Sequence, residues 1–185
     1  MSVLILQPCP TNCAGSHGEV SFDDCAPIRH YGEISKLYVG RIDGADFTNV
    51  DLIGEWTTRL SDTVDTADSI RTLYGMGEMP APEQTEKLVS RGEYAYSPFT
   101  FNFTFAVDDT NDTNFEYMLA TYCNQRRKVW FEMSDGMLYG GNTGIELILK
   151  GSQPLLPGRE DFILINFSGK WKSKSYPLRT LSPMF

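Results

Sequence analysis

Residues that could do chemistry are few in this chain, and they gather near its start. Cys9, Cys13, His17 and Cys25 follow one another as C-x3-C-x3-H-x7-C. Thiolates and imidazole are the donors that hold structural zinc in a tetrahedron, four side chains to a site. The paired C-x2-C knuckles usual for such sites are missing, so an irregular arm carrying small thiols explains the spacing as well. The expectation is that the four do not converge and that no metal is bound. The fourth cysteine, Cys123, ends a predicted helix and reads as a small core residue.

Other candidates are weaker. Asp108-Asp109-Thr110-Asn111-Asp112 has the oxygen-rich start of a calcium loop but lacks its central glycine and twelfth-position glutamate. Turn and helix-cap chemistry accounts for the run more simply. Glu132 and Glu146, on neighbouring predicted strands, could form a carboxylate pair for glycoside chemistry, though solvent-facing carboxylates on sheets are far commoner. His17 and His30 are the two histidines, and neither lies near a G-x-S-x-G or H-E-x-x-H pattern. Gly140-Gly141-Asn142-Thr143-Gly144 lacks the lysine and following helix of a phosphate loop. These residues predict a protein that is not an enzyme and takes no cofactor.

The elements around them are mostly strands. From Phe99 to Val107 every odd position is apolar and every even one small or polar, a period of two that only a strand turns into one aromatic face. The other face, Thr100, Asn102, Thr104 and Ala106, is free to meet water or another subunit. A turn then leads to Phe115, Met118, Leu119 and Tyr122, a helical stripe expected to pack on the aromatic face. Thr113 and Glu116 have the spacing of a capping box. Upstream, residues 34–42 predict a strand with Leu37 and Val39 on one face. Leu52, Ile53, Trp56 and Leu60 predict a short helix capped by Asn49 or Asp51.

Residues 61–97 lose clear periodicity, apart from a returning strand at 87–96, and are expected to form an extended arm or hairpin. Downstream, Asp135-Gly136 between two apolar runs predicts a hairpin. A strand follows at 145–149, and then a doubly buried one at 162–167. The whole reads as mainly β: an antiparallel sandwich or barrel with one or two short flanking helices. Residues 1–33 are an N-terminal arm, 34–175 one domain, and 176–185 an extended tail.

The totals agree. A chain of 185 residues that is 41% hydrophobic supports one full core. No stretch reaches eighteen consecutive apolar residues, and the N-terminus lacks a basic signal region, so neither a membrane span nor secretion is expected. A reducing compartment then disfavours disulfides. Residues 1–125 hold 7 Lys+Arg against 19 Asp+Glu, and residues 126–185 hold 9 against 5. That division is a net −12 beside +4, which suits an assembly whose acidic and basic surfaces meet on neighbouring copies. It disfavours direct grip on nucleic acid, which needs an excess of cations. The only candidate patches are Arg126-Arg127-Lys128 and Lys170 to Lys174.

Two ordered stretches carry a resemblance. Met79-Pro80-Ala81-Pro82-Glu83-Gln84-Thr85-Glu86-Lys87 precedes a strand ending in Val107-Asp108-Asp109-Thr110-Asn111-Asp112-Thr113-Asn114-Phe115. Then come Lys128-Val129-Trp130-Phe131-Glu132, Ser134-Asp135-Gly136 and Leu138-Tyr139-Gly140-Gly141-Asn142. Over residues 20–170 this pattern resembles small virion structural proteins of tailed bacteriophages, in the style of tail tube subunits. The resemblance implies a β-sandwich with a flanking helix, six-membered rings stacked around a DNA channel, and no catalytic residues. It implies a virion location after synthesis in the host cytoplasm. Residues 61–97 would then be an inter-ring arm, with Leu73, Tyr74, Met76, Pro80 and Pro82 as its contact residues. Other virion ring, connector or capsid components fit the same pattern. From a different class, a soluble sandwich could bind carbohydrate or peptide through Tyr74, Tyr94, Tyr96 and Trp171.

Metal analysis of the purified chain should return well under one zinc per molecule. A stoichiometric signal that disappears in Cys13→Ser would overturn that expectation.

Overall fold

The computed structural model describes residues 32–60, 65–90, 93–123, 125–154 and 163–185. The candidate zinc set Cys9, Cys13, His17 and Cys25, with His30, lies outside the described residues. So does nearly all of the expected arm at 1–33.

The strands are β1 (Ile34–Arg41), β2 (Ile70–Glu78), β3 (Glu86–Ser90), β4 (Glu93–Tyr96), β5 (Phe99–Val107), β6 (Arg126–Met133), β7 (Met137–Tyr139), β8 (Ile145–Ser152), β9 (Ile165–Ser173) and β10 (Arg179–Leu181). Two short helices, α1 (Ile53–Arg59) and α2 (Asp112–Thr121), interrupt them. Six strands pair in the order β1-β2-β5-β9-β8-β6, and β6 pairs back onto β1, so the sheet closes into an antiparallel barrel. Of the two closures that the pattern allows, sandwich and barrel, the chain forms the barrel. β7 and β10 extend the sheet from the far end of β6, and β3 with β4 forms a separate two-stranded sheet.

Alternation builds the interior. Phe101, Phe103, Phe105 and Val107 of β5 point inward, as their odd spacing requires, and meet Leu147 and Leu149 of β8, Val129 and Phe131 of β6, and Phe167 and Trp171 of β9. Phe103 meets Phe131 edge-on at 5.0 Å, and Phe101 stacks on Trp171 at 5.0 Å. A barrel of six strands has little room for rings from every wall, so glycines face them. A Cβ on Gly77 would lie 2.7 Å from Phe105 Cδ2 and 2.6 Å from the Thr104 carbonyl.

This explains why β2 escapes a search for periodicity. Its inward positions are Leu73, Gly75 and Gly77, two of which carry no side chain, while Tyr74 and Met76 point out. The segment expected as an arm from 61 to 97 is therefore in part a wall of the barrel, and only the β3–β4 hairpin leaves it. Leu73, taken from the sequence as a contact residue, is 5% exposed and belongs to the core.

Two further expectations are corrected. The stretch expected at 162–167 does not form a doubly buried strand over its described residues, 163–167. β9 starts at Ile165 and alternates, with Ile165, Phe167 and Trp171 buried and Ser168 and Lys170 exposed. The last ten residues add β10 to β7 and fold back onto the barrel, with the Ser182 amide donating to the Gly136 carbonyl at 2.8 Å.

The Asp135-Gly136 hairpin forms as expected, with Gly136 at φ 81°. Both helices differ in detail. α2 is capped by Asn111, whose Oδ1 accepts from the Asn114 amide at 2.8 Å, rather than by Thr113. It lies against β8 and β9 rather than along the β5 aromatics, and it buries Met118 and Thr121. Phe115, Leu119 and Tyr122 stay substantially exposed. The Thr121 hydroxyl accepts from the Gly151 amide at 2.9 Å. α1 has no side-chain cap; the Glu55 carboxylate instead accepts from the amides of Thr48 and Asn49 in the loop before it.

A second apolar cluster lies outside the barrel wall on β1 and β6. Tyr38, Ile70, Trp130 and Leu138 are covered there by Phe47, Val50 and Trp56 from the 44–60 segment. Asn142 ties that segment down: its carbonyl accepts from the Phe47 amide at 2.9 Å and its side chain accepts from the Val50 amide at 3.0 Å.

Phe103→Ala should lower unfolding free energy by about 3–5 kcal/mol through lost burial and a residual cavity. Equilibrium urea denaturation followed by circular dichroism measures it, and an unchanged midpoint would contradict the packing described.

Candidate assembly surface

Among the described residues, one side of the barrel is clothed and the other is bare. α1 and its preceding loop cover β1 and β6, whereas the outer faces of β2, β5, β9 and β8 carry exposed Thr104, Ser168, Ser152, Lys150 and Lys170. Strand register places these residues in rows across the sheet. Met76, Ala106, Asn166 and Ser152 form one row; Glu78, Thr104, Ser168 and Lys150 form the next. Asn102, Lys170, Ile148 and Arg126 form a third, running on to β6. The middle of the face is made of small side chains. It is shallowly concave, an open cleft of about 520 Å³ bordered by Glu33, Met76, Glu78, Thr104, Asn166 and Ser168.

The rows also grade in charge. At the β2 margin stand Glu78 and Glu83, both exposed, beside Tyr74 at 65% and Met76 at 61% exposure. Glu83 is held there by paired backbone bonds to Thr100. At the β8 margin, exposed Ile148 stands among Lys150, Lys170 and Arg126. Arg126 has Glu146 at 4.0 Å, while Lys150 and Lys170 make no ion pair among the described residues.

Of the contact residues read from the sequence, the structure puts Tyr74 and Met76 on this surface. Pro80 is exposed and Pro82 half-buried in the link to β3. Beyond them the β3–β4 hairpin carries exposed Leu88 and Tyr96, and its strands pair only with each other. Such a two-stranded sheet is marginal on its own in water. Trp171 is buried against Phe101 and is not a surface aromatic, and the side chain of Tyr94 lies outside the described residues. Ile148 was missed because one outward apolar residue on an alternating strand is invisible without knowing what stands across from it.

The basic runs separate on folding. Lys128 is buried and donates to Asp46 Oδ1 at 2.5 Å and to the Gly44 carbonyl at 2.7 Å, while Arg126 is left exposed. The carboxylates separate as well. Glu146 is exposed on β8, whereas Glu132 is 1% exposed and accepts from Lys36 Nζ at 2.5 Å, Tyr38 Oη at 2.9 Å and Ser182 Oγ at 2.6 Å. A solvent-facing pair is thus ruled out. Glu132 lies on the outside of β6, but the C-terminal segment closes over it. Three donors satisfy the carboxylate, so it works as a polar rivet joining β1, β6 and the chain end. Burial, then the Glu132 charge and the hydrogen bond to it, push the Tyr38 phenol well above its ordinary value of 10.0. Burial likewise pushes the Tyr117 phenol up to about 12.

Among the described residues no group of three or more His, Cys, Asp or Glu could hold a metal. No described helix is long and apolar enough to cross a membrane. Comparison with protein-family models, curated proteins and solved structures returns no match.

Glu132→Ala should cost about 3–5 kcal/mol, because it leaves a partly buried ammonium and two buried hydroxyls without their acceptor. Denaturant titration reads this directly. The raised tyrosines set an alkaline limit. Each phenol keeps its proton in the folded state at pH values where the unfolded chain has lost it, so stability is full below about pH 10 and declines above it by about 1.4 kcal/mol per pH unit for each group. Tyr38→Phe should flatten that decline, and an equally steep loss in the variant would show that Tyr38 does not contribute.

Proposed function

We propose that this chain is a non-enzymatic, self-assembling structural subunit of a phage virion, of the tail tube type. It would build rings around a channel through which DNA passes without specific contact. The observation that carries the reading is the one-sided barrel. One face is clothed by α1 and the C-terminal segment, while among the described residues four strands on the other side expose a shallowly concave surface of small residues flanked by apolar and charged margins. An uncovered face of that kind marks a protein that meets another protein. Its partner is most simply another copy, since the sequence resemblance to tail tube proteins points the same way. In this reading the β3–β4 hairpin is the arm reaching an adjacent ring, and burial of Leu88 and Tyr96 there offsets the cost of ordering it. No cofactor and no membrane enter the role.

Size-exclusion chromatography with light scattering, followed by negative-stain microscopy, should show rings or tubes. A protein that stays monomeric at high concentration would overturn the proposal. Replacing residues 86–96 by a short Gly-Ser turn spares every barrel strand. It should leave the circular dichroism native-like while removing stacked particles; stacks of wild-type length would rule the hairpin out as the arm.

A further inference from the structure

We infer that neighbouring copies join through two unlike margins of the bare face. The Tyr74–Met76 patch of one copy, with Glu78 and Glu83 beside it, docks on the Ile148 patch of the next, with Lys150 and Lys170 beside it. This rests on the self-assembly reading and names the surfaces that carry it.

Each margin has the make-up of half an interface. An exposed apolar centre supplies burial, and charges with an excess of one sign stand around it. On β2 the centre is Tyr74 and Met76, and the charges are acidic. On β8 and β9 the centre is Ile148, and the charges are basic. Lys36, cross-strand from Tyr74, does not cancel the acidic margin, because its ammonium is taken by Glu132. Glu146 offsets Arg126 alone and leaves Lys150 and Lys170 free to find a partner. Both centres are exposed in the single chain, so neither covers the other within one molecule. Like margins would bring four carboxylates or four ammonium groups together, which disfavours a face-to-face dimer matched in that way; unlike margins attract. Where each margin meets a different neighbour the contact is heterologous, and it closes into a ring or runs on as a helix; a two-fold pair that exchanges both margins reciprocally would stop at two, and the measured particle size separates these outcomes.

Charge exchange tests the pairing in the full chain. Glu78→Lys/Glu83→Lys and Lys150→Glu/Lys170→Glu should each raise the concentration needed for assembly by at least about tenfold, with unchanged far-UV circular dichroism. Mixing the two variants should restore assembly, because each then offers the margin that the other needs. Glu78→Gln/Glu83→Gln and Lys150→Gln/Lys170→Gln serve if a reversal unfolds the chain, and must weaken assembly in the same direction. If wild type assembles and the variants assemble equally well, or if both fail and their mixture does not recover, the margins are not partners although self-assembly stands. A wild type that never leaves the monomer overturns both readings.

Discussion

Closure of six strands around the inward phenylalanines of β5 is the constraint from which the other features follow. Rings at 101, 103 and 105 need space that a narrow barrel supplies only if the facing walls give way. Gly75 and Gly77 on β2 and Gly169 on β9 give way at those points, where an added Cβ would collide with Phe103, Phe105 or the β5 backbone. The aromatic strand thus dictates a glycine-poor signal nowhere and a glycine-bearing one where it is least expected, in the strand beside it. α2 sits beside the same interior, where Met118 packs against Gly151 and joins the core.

Outside that core, the two faces of the barrel have different fates. Over β1 and β6 the chain adds a second cluster around Trp56 and Trp130, whose indole N–H groups donate to the carbonyls of Val50 at 2.7 Å and Gly141 at 2.8 Å. Burying both faces of β1 and β6 would strand any polar side chain between them, and Glu132 is such a side chain. The structure answers by bringing three donors to it from two places in the chain, β1 and the C-terminal segment. Stability and fastening of the C-terminal segment are therefore linked through one carboxylate. The opposite face receives no such cover from the described residues, and its small side chains leave a shallow open surface whose margins differ in charge.

That asymmetry is also the physical content of the functional reading. The barrel interior is filled by rings, and the exposed face differs along its width in shape and charge. An assembly subunit needs two patches that attract each other and do not attract themselves, and the charge difference between the two margins is what supports that reading. The uneven charge of the chain, acidic before residue 126 and basic after it, becomes a spatial gradient because β2 and β5 come from the first part and β8 and β9 from the second.

Alternation and turn chemistry are local, and the sequence by itself determined what depends on them. The inward set of β5, the Asp135-Gly136 hairpin, the alternation of β8, the presence of α1 around Trp56 and the mainly β class could all be read from neighbouring residues. Tyr74 and Met76 were singled out from the sequence because they are apolar and lie beside glycines, and the structure shows both exposed. Only the tertiary structure decided the rest. Whether Leu73 faced a partner or the core, whether Glu132 met water or three donors, and whether Lys128 lay free or under Asp46 all depended on segments distant in sequence. Ile148 became part of a patch only once register set Lys170 and Arg126 on either side of it. The reason is physical: periodicity states which residues share a face, but what covers that face is settled by long-range pairing and packing, which no local spacing records.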